Sequence, residues 1–157
     1  MISNGKLNLD LQILEVNRVF LGTSDHSIDA KGRIVLPAKF REELGDTFYI
    51  AKGFDSPCVQ VMSREQFERI IANIKELPAD KARALQYAFT ATAAEVSPNA
   101  SGRIMIPQSL RKAAELEDEA VVLGMDTRIE IWNKSKYDEF SGSNKDVLGE
   151  AVALLRF

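Results

Sequence analysis

The chain has 157 residues, of which 45% are hydrophobic and 27% are charged, and its formal net charge at pH 7 is −3. These values are typical of a soluble globular protein with one compact domain or two small interlocked ones. No run approaches the roughly 20 apolar residues that span a bilayer. The single cysteine excludes an intrachain disulfide framework, and the single histidine, His26, leaves His-pair metal sites and most histidine-based triads without partners.

Residues 1–18 match neither of the repeated segments described below, and we expect them to be a non-native or disordered leader. Leu14-Glu15-Val16 can be encoded by a string that contains a ribosome-binding sequence, and Val19 can be encoded by the alternative start codon GTG. We therefore hypothesise that natural translation begins at Val19. The alternative is a genuine amphipathic extension, with apolar side chains from Leu7, Leu9, Leu11, Ile13 and Val16.

A segment that begins at Ile28 recurs seventy positions later, beginning at Pro98. The residues shared at this offset include a glycine, two arginines, an isoleucine and a proline. They fall at Gly32 and Gly102, Arg33 and Arg103, Ile34 and Ile104, Pro37 and Pro107, and Arg41 and Arg111. Self-similarity of this kind indicates one supersecondary unit used twice, so function is sought in what the two copies share.

Each copy begins with a predicted turn that leads into a short strand. Asp29 and Asn99 can close the turns on backbone N–H groups, and Gly32 and Gly102 stand where a positive φ is expected. The mostly apolar residues that follow predict a strand that ends at the proline, because proline cannot continue a ladder but suits the first turn of a helix.

A short helix and two strands complete each unit. Apolar residues four positions apart give each helix one stripe that packs on the sheet, at Phe40 and Leu44 in the first copy and at Leu110 and Ala114 in the second. The strands are predicted at 47–51 and 58–62, then at 120–123 and 128–132. Cys58 is interpreted as a buried strand residue rather than a reactive thiol.

Helices are predicted between the copies and after the second one. Ser63 is the expected N-cap of the first connector helix, with Gln66 three residues later, and Pro78 ends that helix. A second connector helix is predicted from Ala79 to about Thr92. The C-terminal stretch is expected to break at Ser141-Gly142-Ser143 and to resume as a helix.

The local charge near the repeated motif has the opposite sign to that of the whole chain. Residues 28–41 hold four basic residues against one acidic residue, and residues 99–112 hold three basic residues and no acidic one. The acidic residues lie elsewhere in the sequence, notably at 115–119, so we expect a two-sided molecule with one basic edge facing phosphate. Arginine at a turn-to-strand junction can contact phosphate or guanine bidentately.

The candidate DNA-binding residues are therefore Lys31, Arg33, Arg41, Arg103 and Arg111. The alternative for Arg33 and Arg103 is an intramolecular pair with Asp29 and Asn99. The alternative for Arg41 and Arg111 is local pairing with Glu42, Glu43 or Glu115. Enzymatic functions are disfavoured, because the nine glycines form no nucleotide-binding loop and the carboxylates lie in helices and acidic runs. We expect no catalytic residue, no metal and no cofactor.

The duplicated Gly-Arg-Ile-x-x-Pro run, the Asp-x-x-x-Arg motif at Asp29 and Arg33, and the stretch from His26 to Arg33 resemble the MraZ family of bacterial transcriptional regulators. The resemblance covers residues 20–140 and departs from the family pattern at Asn99, where the family usually has aspartate. It implies an α+β fold of tandem AbrB-like barrel repeats, of the swapped-hairpin or double-psi type, with a helical connector and a C-terminal helix. Gly32, Gly102, Asp29 and Asn99 would support the turns.

The resemblance also implies a cytoplasmic, nucleoid-associated repressor without membrane contact. It would recognise direct repeats in double-stranded DNA, at the promoter of the division and cell-wall gene cluster that includes its own gene, and it would assemble into a closed homo-oligomeric ring. The expected organisation is a leader at 1–18, repeats at 19–66 and 93–137, a connector at 67–92 and a helical tail at 138–157. The alternative is a non-enzymatic protein-interaction module, such as an antitoxin-like barrel that binds a partner through a tail.

Overall fold

The structure, a computed structural model, describes residues 19–157, and the expected leader lies outside the described residues. The described residues form eight strands in two sheets. They are β1 (Thr23–Ser27), β2 (Arg33–Val35), β3 (Phe48–Lys52), β4 (Cys58–Ser63), β5 (Ala94–Val96), β6 (Arg103–Met105), β7 (Glu119–Met125) and β8 (Arg128–Asn133). The predicted strands agree with these within two residues at each end.

Within residues 19–157, six α-helices lie between and after these strands. They are α1 (Ala38–Leu44), α2 (Arg64–Lys75), α3 (Ala79–Ala88), α4 (Gln108–Ala113), α5 (Lys134–Ser143) and α6 (Lys145–Leu154), with a 3₁₀ turn at Thr90–Thr92. The expected N-cap of α2 is confirmed, because Ser63 Oγ accepts a hydrogen bond of 3.2 Å from the Gln66 N–H. The fold is α+β, as expected.

The two copies exchange strands. The larger sheet has the order β1-β7-β8-β4-β3-β5, and all of its pairs are antiparallel. Strand β1 of the first copy therefore pairs with β7 of the second, and β5 of the second copy pairs with β3 of the first. Among the described residues this sheet is open, with β1 and β5 at its two edges. The smaller sheet is a ribbon of β2 and β6, one strand from each copy.

The main core draws on both copies. Alternate residues of β3, β4, β7 and β8 face it, and it is closed by the ribbon and by α1 and α4. The predicted helix stripes are confirmed in this core, which contains Phe40, Leu44, Leu110 and Ala114. The opposite face of the large sheet packs against α2 and α3 around Met62, Ile74 and Phe89, and against α5 around Cys58 and Trp132. Of the connector helices, α2 buries Ile74 against the sheet, whereas the apolar residues of α3 that pack there, Ala82 and Leu85, are only partly buried.

Two helix predictions are wrong at their ends. The helix expected from Ala79 to about Thr92 ends at Ala88, and the 3₁₀ turn follows, with the Thr92 hydroxyl donating to the Phe89 carbonyl at 2.8 Å. The break expected at Ser141-Gly142-Ser143 occurs instead at Asn144. Helix α5 continues through this segment, where the Ser141 and Ser143 hydroxyls point back along the helix and donate to carbonyls of the preceding turn, at 3.2 and 2.8 Å.

Candidate nucleic-acid interface

Each repeated turn is closed by one Asp or Asn side chain. Asp29 Oδ1 accepts hydrogen bonds of 2.9 Å from the N–H groups of both Lys31 and Arg33, and the Gly32 N–H donates to the Asp29 carbonyl at 2.9 Å. Gly32 has φ of 82°. This is a conformation that residues with a Cβ rarely adopt, and it agrees with the positive φ expected at Gly32 from the sequence.

The second turn repeats this geometry with an amide in place of the carboxylate. Asn99 Oδ1 accepts from the Ser101 N–H at 3.0 Å and from the Arg103 N–H at 2.9 Å. The Gly102 N–H donates to the Asn99 carbonyl at 2.9 Å, and its φ is 78°. The shared geometry explains why the two sequences coincide at the glycine and the arginine.

The ribbon brings the two turns into one structure. In its register Arg33 lies opposite Met105, Ile34 opposite Ile104, and Val35 opposite Arg103. Both isoleucines are buried in the core. Because side chains alternate along a strand, the remaining four share the opposite face. Arg33 and Arg103 are diagonal neighbours across the ribbon, so their Cα atoms are about 7–8 Å apart.

The two arginines on this face have different partners. Arg33 Nε donates to Asp29 Oδ2 at 2.8 Å, so the intramolecular pair considered from the sequence is present for Arg33. The backbone N–H of Arg33, followed by its guanidinium and by the Lys31 N–H, lowers the pKa of Asp29. Arg103 instead donates from Nη1 to Ser101 Oγ at 3.3 Å, and its side chain lies exposed. The first arginine is therefore held by a carboxylate, and the second by a neutral hydroxyl.

Arg41 and Arg111 do not form the local ion pairs expected from the sequence. Arg41 Nε donates to the Leu36 carbonyl at 3.1 Å, and Arg111 Nε donates to the Ile106 carbonyl at 3.0 Å. Glu115 pairs with Lys136 instead, at 3.7 Å. Each arginine thus folds back over the start of its own helix. In both copies the arginine binds the carbonyl of the residue five positions before it. Because this spacing is the same in the two copies, the sequence could have indicated the contact between arginine and carbonyl.

The charges around the two turns are unequal. Lys31 is exposed in the first turn, where the second turn has Ser101. The acidic run at 115–119 is not on the far side of the molecule, as the expected two-sided distribution required, because the Ile28 N–H donates to the Asp118 carbonyl at 2.8 Å. The backbone of this run therefore lies beside Ile28, the residue that precedes the first turn.

Other candidate chemistry in the described part of the chain is structural. Cys58 is buried, and its burial, followed by the charge of Glu130, raises the pKa of its thiol far above the usual range. His26 lies in β1, where Nε2 contacts Ser24 Oγ at 2.7 Å. Over residues 19–157, no group of three histidine, cysteine or carboxylate side chains is placed to hold a metal ion. Within the same range, none of the helices has the length and hydropathy to cross a membrane.

Comparison with known proteins places this architecture in one family. A family model described as "MraZ protein, putative antitoxin-like" matches residues 19–87 and 89–151, one match for each copy. The Transcriptional regulator MraZ of Thermoanaerobacter sp. (strain X514) is 44% identical over 137 residues, which cover 86% of this chain and 94% of that protein. The protein of the same name from Acetivibrio thermocellus is 43% identical over 137 residues, with the same coverage.

A more distant relative gives the same result. The Transcriptional regulator MraZ of Clostridium tetani is 39% identical over 130 residues, which cover 82% of this chain and 91% of that protein. These alignments span most of the chain, and the two family matches coincide with the two copies of the turn and ribbon strand. The chain therefore belongs to the MraZ family.

Proposed function

We propose that this chain is a sequence-specific DNA-binding transcriptional regulator that represses the division and cell-wall gene cluster, its own promoter included. The observation that carries the proposal is the outer face of the β2–β6 ribbon, which presents Arg33 and Arg103 together with Val35 and Met105. A two-stranded ribbon fits the major groove of B-DNA. Arginine there can bind guanine bidentately, and an apolar neighbour can contact a thymine methyl group.

The proposed reading residues are Arg33 and Arg103, with Lys31 contacting phosphate beside the first turn. Asp29, Gly32, Asn99 and Gly102 hold the turns, as their hydrogen bonds indicate. Arg41 and Arg111 were also candidates for DNA contact, but their Nε atoms bind carbonyls within their own chain. We assign them a different role below. The names of the relatives support a regulator rather than an enzyme.

Replacing either reading arginine by alanine tests the proposal. In a gel-shift assay with the DNA upstream of the protein's own gene, Arg33→Ala and Arg103→Ala should each cost about 1–3 kcal/mol of binding free energy per engaged subunit if the arginine reads a base. If the arginine contacts phosphate, the substitution should flatten the salt dependence instead. Because Arg33 is paired with the Asp29 carboxylate whereas the partner of Arg103 is neutral, we expect the larger loss at Arg103.

Arg83→Ala is the matched control. Arg83 is an exposed arginine on α3, which packs on the face of the large sheet opposite the ribbon. A scrambled duplex controls for sequence-independent binding. Wild-type affinity in both ribbon variants would contradict the site assignment, and equal retention of the scrambled duplex would contradict sequence specificity.

The same proposal includes the assembly and the finer fold. The exchange of β1 and β5 between the copies supports AbrB-like swapped-hairpin repeats. The proposed assembly is a cytoplasmic, nucleoid-associated closed ring that engages several direct repeats at once, which multiplies weak contacts through effective concentration. Helix α6 and the residue after it support self-association, because they expose a stripe of apolar side chains. They are Val147, Leu148 and Val152 of α6, and Leu155.

Charge on this stripe tests the ring. Leu148→Glu combined with Val152→Glu should lower the size of the assembly in size-exclusion chromatography with light scattering, because a charged pair opposes apolar contact. Gly149→Glu combined with Ala153→Glu is the control, since it adds the same two charges on the opposite side of α6. A charge at Phe89, beside the connector helices, would not test the ring. Phe89 is buried within its own chain, and a charge there should unfold the protein. A wild-type monomer of 17.5 kDa with full DNA affinity would contradict the ring.

The exposed stripe also favours a second candidate function, the antitoxin-like interaction module. An apolar C-terminal helix is the kind of segment that such a module inserts into a partner protein. Retention on duplex DNA or heparin at low salt distinguishes the two functions. Failure to bind any duplex, together with co-purification of a stoichiometric partner protein, would favour the module.

A further inference from the structure

Each turn glycine is covered by an arginine of the other copy. A methyl group added at Gly32 would lie 2.5 Å from Cζ of Arg111, and one added at Gly102 would lie 2.6 Å from Cζ of Arg41. Both glycines are buried although their turns are at the surface. Only a residue without a Cβ allows a guanidinium to approach the backbone so closely.

The arginines are fixed where the two ribbon strands meet. The Ile106 N–H donates to the Gly32 carbonyl at 3.0 Å, and the Ile106 carbonyl accepts from Arg111 Nε at 3.0 Å. Ile106 thus joins the covering arginine to the glycine it covers. Arg41 has the equivalent bond to the Leu36 carbonyl in the first copy, and it covers Gly102. A planar guanidinium suits this position, since it can donate in its plane and stack on the turn with its face.

We propose that Arg41 and Arg111 are positioning residues that act across the two copies: Arg41 holds the Asn99–Arg103 turn and Arg111 holds the Asp29–Arg33 turn. Each reading arginine is then oriented by the copy that does not contain it. The inference deepens the proposed function and rests on it, because orientation affects binding only if these turns contact DNA. The crossed geometry nevertheless has a readout that requires no DNA.

A double-mutant cycle on the full chain tests the crossing. Arg41→Ala should lower affinity for the duplex upstream of the protein's own gene by about fivefold or more, similar to the loss of a reading arginine. The pair Arg41→Ala with Arg103→Ala should bind no more weakly than Arg103→Ala alone, since both changes disable the same turn. The pair Arg41→Ala with Arg33→Ala should multiply the two losses, because they disable different turns.

Arg111→Ala should show the opposite pattern. It should cause no further loss of DNA affinity in Arg33→Ala, and its loss should multiply with that of Arg103→Ala. Lys39→Ala, which removes an exposed basic residue from the same helix as Arg41, is the matched control and should couple to neither turn. The loss of affinity caused by Arg41→Ala could instead multiply with the losses caused by both Arg33→Ala and Arg103→Ala. Arg41 would then act by direct phosphate contact or by general stabilisation of the protein, and the inference would be overturned.

Hydrogen exchange of the DNA-free protein is the independent readout. Arg41→Ala should speed exchange of the Ser101, Gly102 and Arg103 amides, whose bonds close the second turn, and should leave the amides of Lys31, Gly32 and Arg33 at the wild-type rate. Arg111→Ala should do the reverse. Arg41→Lys should resemble Arg41→Ala, because lysine keeps the charge without the plane.

The two readouts separate failure of this inference from failure of the proposed function. Arg41→Ala and Arg111→Ala could each speed amide exchange in the turn of the other copy while Arg33→Ala and Arg103→Ala keep wild-type DNA affinity. That result would reject Arg33 and Arg103 as reading residues, and it would also reject a role of Arg41 and Arg111 in DNA binding. Exchange that increases equally in both turns, or in the turn of the mutated copy, would overturn the inference whatever the DNA affinity.

Discussion

Asp29 and Asn99 occupy the same place in the two turns, and they differ only in an oxygen replaced by an amide nitrogen. In both turns the side-chain Oδ1 accepts the two backbone N–H groups. Only the carboxylate, through Oδ2, also binds a guanidinium. The chain therefore contains an internal comparison of one turn with and without a negative charge beside its arginine.

Asp29→Asn should remove a component of acid sensitivity. Because folding lowers the pKa of Asp29 below its ordinary value of 3.8, the carboxylate stabilises the fold above that pH, and this contribution is lost as the pH falls through the lowered pKa. We expect the thermal unfolding profiles of the wild type and Asp29→Asn to differ above the ordinary pKa of 3.8 and to converge as the pH falls below it through the lowered pKa. Asn99→Asp, the reciprocal change, should add the same component. Parallel profiles for wild type and Asp29→Asn would show that the carboxylate contributes nothing beyond its hydrogen bonds.

At the scale of elements, the ribbon is too small to be stable alone. Its strands have three residues each, and an isolated two-stranded hairpin is at best marginal in water. Its stability comes from the burial of Ile34 and Ile104, from the two closed turns, and from the arginines that cover the glycines. Changes in the turns should therefore affect the stability of the fold as well as DNA binding.

Gly32→Ala should destabilise the protein for two separable reasons. A left-handed φ costs an alanine roughly 1–2 kcal/mol, and the added methyl group would meet the Arg111 guanidinium. Gly32→Ala in an Arg111→Ala background isolates the first cost, because the guanidinium that the added methyl group would meet is then absent. Urea unfolding should give a larger loss for Gly32→Ala in the wild-type background than in the Arg111→Ala background. Gly142→Ala, in a helix and with no neighbouring atom within 4 Å of an added methyl group, should stabilise by up to about 1 kcal/mol. Equal losses in the two backgrounds would mean that the arginine moves aside freely.

Local features of the fold could be predicted from the sequence. The turns, the strand that ends at a proline, the helix stripes and the Ser63 cap follow from residue types at fixed short spacings. Strand β1 could not be predicted in this way because all five of its residues are polar, and β5 could not because three residues are too few to establish an alternation. The continuation of α5 through Ser141 and Ser143 depends on where two hydroxyls point, which composition does not specify.

Less of the candidate site could be predicted. The sequence indicated the shared arginines and glycines, and the structure adds that Arg33 and Arg103 share one face. That Arg41 covers Gly102 could not be seen, because aligning two copies compares equivalent positions and says nothing about contacts between different positions. The acidic run was placed wrongly for the same reason: its closeness to Ile28 results from pairing of β1 with β7, across a long stretch of sequence.

At the scale of the whole molecule, neither copy has a core of its own. The main core takes residues from both copies, and β3 and β4 of the first have neighbours from the second, β5 and β8. Two units of this size must share a core to be stable, because small chains bury too little of their surface. Separation of the copies should expose apolar sheet faces and unpaired strand edges at the same time.

Expression of the two halves tests this interdependence. Residues 19–88 and 89–157, produced separately, should be unfolded or should self-associate, and mixing them should restore a cooperative thermal transition observed by circular dichroism. The control is the intact chain with a flexible linker inserted between residues 88 and 89. It should stay folded, because lengthening a loop lowers the free energy of unfolding only slightly. A monomeric half that unfolds cooperatively by itself would contradict the shared core.

The crossed cover of Gly32 by Arg111 and of Gly102 by Arg41 has a consequence for how such a protein can change over evolution. A duplicated unit normally lets one copy drift while the other preserves the original activity. Here a substitution at Arg41 or Arg111 would alter the turn of the opposite copy, so neither half can change independently of the other. A designer who transplants one turn to alter its target should therefore move the matching arginine from the other half of the chain with it.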